Sequence, residues 1–372
     1  MTIAIVGGGL AAASLAAELR ERGHDGPVVI HAAEPHLPYE RPPLSKDVLL
    51  GKKEPESAEV HDANWYAEND IEVRLGSRVT ALDPARHTLT TSAGEEPFAE
   101  AVLAMGATPR RLPLADDSGR PVAYLRTIED SRRLRESFAA TPRIAVVGGG
   151  WIGLEVAAAA REAGCPVTVH EAADLPLLGV LGPEVAQAFA DLHRRHGVDL
   201  RLGAQVTADD LAGADLIVVG IGAVPDVALA SDAGLDVDDG VLVDSCLRTS
   251  APEIYAIGDI ASHDHPRIPG RLRVEHWDNA IEQGKAAARN LLGCATPYDR
   301  QPYFFTDQYD LGMEYVGHTG PEGYERVDIE GELDGAFKAF WLRDDTVVAA
   351  MHANDWDAGD EIKASIGTTR RG

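Results

Sequence analysis

Two stretches of the chain repeat one hydrophobic pattern. Each begins with a run of apolar, β-branched residues, at 3–6 and again at 144–147, which is typical of a strand buried on both faces. A glycine-rich turn and an alanine-rich segment follow each run, and a second apolar strand comes next, at 28–30 and 167–169. The order strand, turn, helix, strand predicts two β-α-β units from a duplicated domain. We therefore expect an α/β protein with two Rossmann-like domains.

The two glycine turns have the residues that a dinucleotide-binding turn requires. The first glycine allows a tight turn, the second lets the backbone approach a pyrophosphate, and the third position must be small for the helix to pack on its strand. A pyrophosphate is then bound by the free N–H groups at the positive end of the helix dipole. The residues predicted to form these turns are Gly7, Gly9, Leu10, Ala11 and Ala12 in the first copy, and Gly148, Gly150, Trp151, Ile152 and Gly153 in the second.

An acidic residue follows the second strand of each unit, Glu34 in the first copy and Glu171 in the second. A carboxylate at this place accepts hydrogen bonds from the ribose hydroxyls of a dinucleotide. Glu171 would also repel the 2′-phosphate of NADPH, and no arginine follows it at 172–175. The second site is therefore predicted to prefer NADH over NADPH. The alternative is that Glu171 is an exposed acid at the end of a strand.

Other patterns predict elements toward the end of the chain. Aromatic and alternating residues at 336–341 are typical of an antiparallel sheet. Helices are expected at 279–292 and at 360–366, the first of them beginning after His276 and Trp277. The carboxyl-terminal part is therefore predicted to be a small α+β domain.

Composition and charge narrow the function. The 372 residues are 45% hydrophobic and carry a formal net charge of −26, from 34 basic and 60 acidic side chains. Such a chain is expected to have a sizeable core, and its acidic balance argues against a nucleic-acid or anionic membrane surface. No run reaches the roughly 18 apolar residues of a membrane span, and no signal-peptide pattern is visible at the N-terminus. We expect a cytoplasmic protein without a metal site.

Five further segments indicate a family. They read LPYERPPLSK at 37–46, LAMGATPR at 103–110, YAIGD at 255–259, RVEHWDN at 273–279 and PYFFTDQ at 302–308. Together with the two glycine turns, they resemble the NADH-dependent ferredoxin reductases of bacterial oxygenase systems, which are relatives of putidaredoxin reductase and apoptosis-inducing factor. The resemblance covers essentially the whole chain and implies a glutathione-reductase-like architecture.

The resemblance also implies how the chain divides and what it binds. The first glycine turn would bind FAD and the second NADH. The implied domains are the first part of an FAD-binding domain at 1–112, an NADH-binding domain at 113–232, the second part of the FAD-binding domain at 233–294 and an α+β domain at 295–372. Besides the residues of the turns and the two acids, it implies cofactor contacts from Arg41, Lys46, Val79, Ala104, Met105, Gly106, Arg110, Glu155, Ile221, Gly222, Gly258, Asp259, Glu275, His276, Trp277 and Phe305.

Two charged residues are implied to be catalytic. Lys46 corresponds to the family's lysine beside the flavin, and Glu155 to the acid near the nicotinamide that can pair with it. The alternatives are an exposed lysine after a proline turn and a glutamate on a helix surface. The chain departs from the family at Met105, where a threonine normally stands, and at Phe305, where a tryptophan is usual. A third departure is the stretch 202–217, which is shorter than usual and implies a smaller NADH-binding domain.

The cysteines bear on how electrons leave the flavin. Cys165, Cys246 and Cys294 form no pair with redox spacing, and the segment 41–49 has no cysteine. The family resemblance then implies direct transfer to an iron-sulfur ferredoxin, which would serve an oxygenase. Ferredoxins are usually acidic, so a locally basic docking patch is expected. The candidates are Arg110, Arg111, Arg132, Arg133, Arg135, Arg267, Arg271, Arg273 and Arg300.

Two other functions remain open from the sequence. One is an NADH oxidase or a reductase of quinones or other small molecules. The other is an NADH-dependent redox sensor like apoptosis-inducing factor. The sequence leaves the oligomeric state open between monomer and homodimer.

Overall fold

The computed structural model describes residues 2–320 and 322–371. Its contacts divide the chain into two compact units, each assembled from three stretches. The first unit comprises Met1–Glu40, Ala58–Thr108 and Val224–Pro302, and the second comprises Arg41–Ser57, Pro109–Ala223 and Tyr303–Gly372. The four domain boundaries expected from the sequence stay predictions, since this division into two units does not test them.

A five-stranded parallel sheet forms the centre of the first unit. Its strands lie in the order Ile254–Ala256, Glu100–Leu103, Ile3–Val6, Val28–His31 and Ile71–Arg74. The central strand, Ile3–Val6, is buried along its whole length, which explains its unbroken apolar sequence. The helix that follows it, Leu10–Glu21, packs against a long helix at Trp277–Leu291. Gly284 permits this close approach, because a Cβ atom there would lie 2.7 Å from the carbonyl oxygen of Ala11.

Smaller elements complete the first unit. A three-stranded antiparallel sheet consists of Ala81–Asp83, Thr88–Thr91 and Gly94–Pro97, and a four-stranded sheet consists of Val237–Asp238, Gly240–Val243, Ala261–Asp264 and Arg271–Leu272. Short helices lie at Ala63–Glu68, Ala228–Asp232 and, in 3-10 form, Gly258–Ile260. Three boundaries between the two units fall inside short elements. These elements are the strands Ala107–Pro109 and Ala223–Pro225 and the 3-10 turn Pro55–Ala58.

The second unit has a parallel sheet in which four strands follow the same order, whereas the edge strand Val122–Ala123 precedes the other four in the sequence. Its strands are Val122–Ala123, Leu216–Val219, Ile144–Val147, Val167–Glu171 and Asp199–Leu202. The strand before each glycine turn is central in its sheet and is followed by a helix, Trp151–Glu162 in this unit. The predicted duplication of a Rossmann-like domain is therefore confirmed. The remaining helices here are Pro42–Ser45 (3-10), Pro113–Asp116, Ile128–Phe138, Leu178–Arg195 and Ala208–Leu211.

The last part of the second unit is an antiparallel sheet, as the sequence predicted. Its strands lie in the order Tyr303–Gln308, Leu311–Gly317, Thr346–Ala353, Phe337–Arg343 and Arg326–Gly331. A 3-10 turn at Trp356–Ala358 leads into the final helix, Gly359–Ser365. Trp341 is fully buried and donates a hydrogen bond from Nε1 to the carbonyl oxygen of Leu181, which fastens the sheet to the helix Leu178–Arg195.

The predicted helix at 279–292 is displaced at both ends. The observed helix is Trp277–Leu291 and begins two residues earlier. The side chain of His276 accepts a hydrogen bond from the backbone N–H of Asp278 and thereby caps the N-terminus, which propensity reasoning overlooked.

Candidate functional site

The first glycine turn is shaped by close contact between two strands of one sheet. Gly7 has a φ of +116°, and a Cβ atom there would lie 2.3 Å from the carbonyl oxygen of Ala104. Ala104 in turn donates a backbone hydrogen bond to Val6, at 2.7 Å. No residue larger than glycine fits at position 7 without moving the backbone. The next helix begins at Leu10 after Gly9, which provides no side-chain cap.

The second glycine turn has the same construction. Gly148 has a φ of +107°, and its added Cβ would lie 2.3 Å from the carbonyl oxygen of Gly220. At the third position a Cβ on Gly153 would lie 2.0 Å from the carbonyl oxygen of Gly148, whereas the first copy accommodates Ala12, fully buried. The helix Trp151–Glu162 also begins after a glycine that gives no side-chain cap. Both helix starts therefore present free N–H groups of the kind that bind pyrophosphate.

Both predicted ribose-binding acids are held by hydrogen bonds. The hydroxyl of Tyr39 donates to Oε2 of Glu34 at 2.5 Å. Glu171 is the last residue of its strand and accepts from the backbone N–H groups of Gly149, at 2.6 Å, and Ala173, at 2.8 Å. Each carboxylate oxygen can accept more than one hydrogen bond, so this arrangement orients Glu171 and leaves acceptor capacity for a ribose.

The Gly258 loop lies at the start of the first dinucleotide helix. Gly258 has a φ of +74°, and a Cβ atom there would lie 3.3 Å from the Cβ of Ala11. The side chain of Gln283 accepts a hydrogen bond from the backbone N–H of Gly258 at 2.8 Å. Gln283 is fully buried on the helix Trp277–Leu291. Sequence reasoning did not single out Gln283, which lies one helical turn and more beyond the RVEHWDN segment.

The structure places the other predicted cofactor residues in both units. In the first unit, Val79 and Met105 pack on the core, Gly106 accepts a backbone hydrogen bond from Asp226, Glu275 pairs with Arg273, and Arg273 donates to the carbonyl oxygen of Asp259. In the second unit, Arg110 donates a backbone hydrogen bond to Gly222, and Arg41 donates to the carbonyl oxygen of Arg126. Ile221 packs against a hydrophobic cluster of this unit, and Trp151 contacts the ring of Phe189. Ile152 is exposed. Their roles as cofactor contacts stay predictions.

Lys46 and Glu155 lie together in the second unit. The Nζ atom of Lys46 is 2.9 Å from Oε1 of Glu155, whose side chain is 5% exposed. Glu155 accepts two further side-chain hydrogen bonds, from the hydroxyl of Ser45 to Oε2 and from that of Thr306 to Oε1, the latter at 2.6 Å. Nζ of Lys46 also lies 5.1 Å from the ring centroid of Phe305. Two of the three side chains that bind Glu155 belong to the segment 41–57, and the third belongs to the antiparallel sheet.

Ser45 and Thr306 bind Glu155, and sequence reasoning predicted neither contact. Both stand inside segments that carry the family resemblance, but neither was given a contact. Their signal in the sequence is position alone, since each is adjacent to a predicted site residue, Lys46 or Phe305. Thr306 is fully buried, and its hydroxyl donates to Oε1 of Glu155.

The residues present fit two dinucleotides. In each unit a turn that admits only glycine, a helix start with free N–H groups and an oriented carboxylate occur together. The first unit adds the Gly258 loop beside Ala11, which suits the longer FAD, and the second adds Lys46 and Glu155.

The cysteines lie apart from this chemistry. All three are free, and Cys165 is fully buried, where burial raises the pKa of its thiol. Within residues 2–320 and 322–371, no group of three or more metal-ligating side chains is found. Over the same ranges, no helix is both long enough and apolar enough to cross a bilayer.

Ion pairs neutralise most of the arginines that were candidates for a docking patch. The pairs are Arg111 with Asp116, Arg132 with Glu56, Arg133 with Asp130, Arg267 with Asp299, Arg271 with Asp264, Arg273 with Asp239 and Arg300 with Asp278. Among the described residues, Arg110 and Arg135 are the two of this group without an ion pair. Docking at any of these clusters stays a prediction.

Comparison with known proteins covers nearly the whole chain. The family model described as pyridine nucleotide-disulphide oxidoreductase matches residues 1–284, and the model described as reductase C-terminal matches residues 303–369. The ferredoxin–NAD(+) reductase component of the anthranilate 1,2-dioxygenase system of Burkholderia cepacia is 40% identical over 384 aligned positions, which cover 99% of this chain and 92% of that protein.

Two solved structures are similar over the same extent. The ferredoxin reductase for the CYP199A2 system from Rhodopseudomonas palustris has a TM-score of 0.93 and 33% identity, and the alignment covers 99% of this chain and 96% of that one. The covalent complex of putidaredoxin reductase with putidaredoxin gives a TM-score of 0.90 and 36% identity, covering 98% of this chain and 91% of that one.

Proposed function

Because the chain belongs to the pyridine nucleotide-disulphide oxidoreductase family, we propose that it is an FAD-dependent NADH:ferredoxin reductase that supplies electrons to an oxygenase. The support comes from similarity along nearly the entire chain to a reductase component named for a dioxygenase system. A solved covalent complex of a 36% identical reductase, putidaredoxin reductase, with putidaredoxin adds to it. The reductase C-terminal match extends the similarity to the antiparallel sheet.

When bound, FAD accepts hydride from NADH and returns electrons one at a time to a one-electron acceptor. The chain's own residues bind and orient the two dinucleotides. The turn at Gly7, with Glu34 and the Gly258 loop, would hold FAD in the first unit. The turn at Gly148, with Glu171, would hold NADH in the second.

Lys46 and Glu155 would act at the reacting rings. An ammonium group beside a flavin stabilises negative charge that develops on the reduced ring, and the glutamate fixes the position of that ammonium. Hydride transfer requires no general acid or base, so we assign both residues to charge placement and orientation.

One observation supports the proposal that electrons pass directly from the flavin to an external acceptor. The segment beside the proposed flavin position has Lys46 and Ser45 bound to Glu155, and it contains no cysteine between 41 and 49. An enzyme that passes electrons through a disulfide needs two sulfur atoms within bonding distance near the flavin. Here the first acceptor after FAD would be external to the chain rather than a disulfide within it.

Anaerobic titration with NADH tests this route. We expect one equivalent of NADH per bound FAD to bleach the flavin completely, with no further uptake of electrons. The double variant Cys246→Ser, Cys294→Ser is the matched control and is expected to give the same stoichiometry. Uptake of a second equivalent by the wild-type protein, lost in the double variant, would reveal a dithiol centre and contradict direct transfer.

We propose a cytoplasmic location for this reaction. The basis is the use of NADH, which is a cytoplasmic reductant, together with three free cysteines.

A further inference from the structure

A chain of buried hydrogen bonds leads away from the pair Lys46–Glu155. Oε1 of Glu155 accepts from Oγ1 of Thr306 at 2.6 Å, and Nε2 of Gln308 donates to that same Oγ1 at 3.2 Å. The Oε1 atom of Gln308 lies 2.8 Å from Nε2 of His193. Thr306, Gln308 and His193 are each no more than 1% exposed. These hydrogen bonds join three elements of the second unit, the helices Trp151–Glu162 and Leu178–Arg195 and the strand Tyr303–Gln308.

The direction of every hydrogen bond in this chain follows from its end at Glu155. A carboxylate can only accept, so the hydroxyl of Thr306 donates to Glu155 and has its lone pairs left for Gln308. Gln308 must then donate with its amide nitrogen, and its carbonyl oxygen accepts from His193. His193 is thereby fixed as the neutral tautomer with a proton on Nε2. Burial supports this state, because it lowers the pKa of His193 to about 4.

The chain is anchored on regular secondary structure. Thr306 and Gln308 stand two residues apart on the strand Tyr303–Gln308, so their side chains share one face. His193 belongs to the helix Leu178–Arg195, which packs into a core with the antiparallel sheet. In contrast, the other two partners of Glu155, Ser45 and Lys46, lie at the end of a single 3-10 turn, Pro42–Ser45.

We propose that Thr306, oriented by Gln308 and His193, is a positioning residue that fixes the carboxylate of Glu155 for the oxidation of NADH. The inference rests on the proposed function, in which Glu155 lies at the nicotinamide. This series of hydrogen bonds does not conduct protons, because the amide group of Gln308 has no proton that it can pass on and regain. Its effect is to hold one oxygen of Glu155 in place so that Lys46 keeps a defined position.

The test compares three threonine substitutions by rapid anaerobic mixing with NADH. Thr306→Val keeps the shape of the side chain and removes the hydroxyl, so we expect flavin reduction at saturating NADH to slow by about tenfold. The dissociation constant for NADH is expected to stay within about twofold, since the adenosine end is unaffected. Thr306→Ser restores the hydroxyl and is expected to restore the rate. Thr91→Val, at a buried threonine in the three-stranded sheet, is the matched control and keeps the wild-type rate.

A Thr306→Val protein that reduces its flavin as fast as the wild type would overturn the proposal. So would equal slowing in Thr306→Val and Thr306→Ser, because the hydroxyl would then be irrelevant. If Thr306→Val fails to bind FAD, Gln308→Met replaces it, with an expected slowing of about threefold from the loss of one neutral hydrogen bond. Failure of the wild-type flavin to react with NADH would instead refute the proposed function, which this experiment reads separately.

Discussion

The Nζ atom of Lys46 lies 2.9 Å from Oε1 of Glu155, although 109 residues separate the two in sequence. A second lysine–glutamate pair joins the same two segments, with Nζ of Lys52 at 3.3 Å from Oε2 of Glu162. The side chains of Lys46 and Glu155 are 17% and 5% exposed, whereas that of Lys52 is 59% exposed. Breaking the first pair is costly in free energy because it leaves a buried charge without a charged partner, whereas the exposed second pair contributes little to stability.

Substitution of Lys46 is expected to slow the reduction of the flavin by NADH. In Lys46→Met the ammonium is lost while much of the aliphatic stem is kept, so flavin reduction by NADH is expected to slow by about tenfold or more. Lys52→Met removes the equivalent charge of the exposed pair and is expected to react like the wild type. Rapid anaerobic mixing of each FAD-loaded protein with NADH gives the rates. Equal rates for Lys46→Met and Lys52→Met would refute the role of Lys46.

Substitution of Gly7 is expected to abolish FAD binding. In Gly7→Ala the new Cβ atom would lie 2.3 Å from the carbonyl oxygen of Ala104, and the strand ends would have to separate. Gly94→Ala is the matched control, because its φ of +121° imposes similar backbone strain in open space. The ratio of FAD to protein after purification measures the result. A normal ratio in Gly7→Ala would contradict the assignment of this turn to FAD.

Glu171 is expected to determine the choice between NADH and NADPH. Its carboxylate is fixed by two backbone N–H groups and would lie against the 2′ position of the adenosine ribose. The wild type is expected to favour NADH by at least about tenfold in kcat/KM. Glu171→Gln removes the negative charge and is expected to narrow that preference, whereas Asp174→Asn, at an exposed acid in the next loop, changes it less. A wild type that favours NADPH would refute the prediction.

Buried His193 is expected to make the protein less stable in acid. Its pKa is lowered from 6.5 to about 4 in the folded chain, so between these values the unfolded chain binds a proton that the folded one does not. Stability is therefore lost as the pH falls from 6.5 to 4, and one such histidine accounts for roughly 2 kcal/mol between pH 7 and 5. Urea midpoints at the two pH values measure the loss. His193→Gln is expected to show a smaller difference between them, and an unchanged difference would contradict this origin.

The sequence predicted those features that depend on local spacing. Gly7 and Gly148 were placed in tight turns, and the structure shows the same carbonyl contact at both. The strand Ile3–Val6 was readable because a central parallel strand is apolar on both faces. Repetition strengthened both predictions, since two copies of the same order of elements are hard to explain except by a duplicated fold.

Contacts between segments that are distant in the sequence could not be predicted from local spacing. Ser45, Thr306 and Gln308 converge near Glu155 only after the segments 41–57, 109–223 and 303–372 have packed together. A threonine or a glutamine in a strand has no local pattern that marks its partner. His193 stands in an amphipathic helix where any polar residue would be taken as exposed, and its burial is decided by the sheet that covers it.

The central claim is that electrons pass from NADH through FAD to a ferredoxin, and one measurement tests it most directly. The FAD-loaded protein is reduced with one equivalent of NADH without oxygen, and is then mixed with either a [2Fe-2S] ferredoxin or dissolved oxygen. We predict that the flavin is reoxidised much faster by ferredoxin, with two clusters reduced for each NADH consumed. Faster reoxidation by oxygen would identify an oxidase or a small-molecule reductase, and slow reoxidation by both would indicate an NADH sensor; either result would contradict the claim.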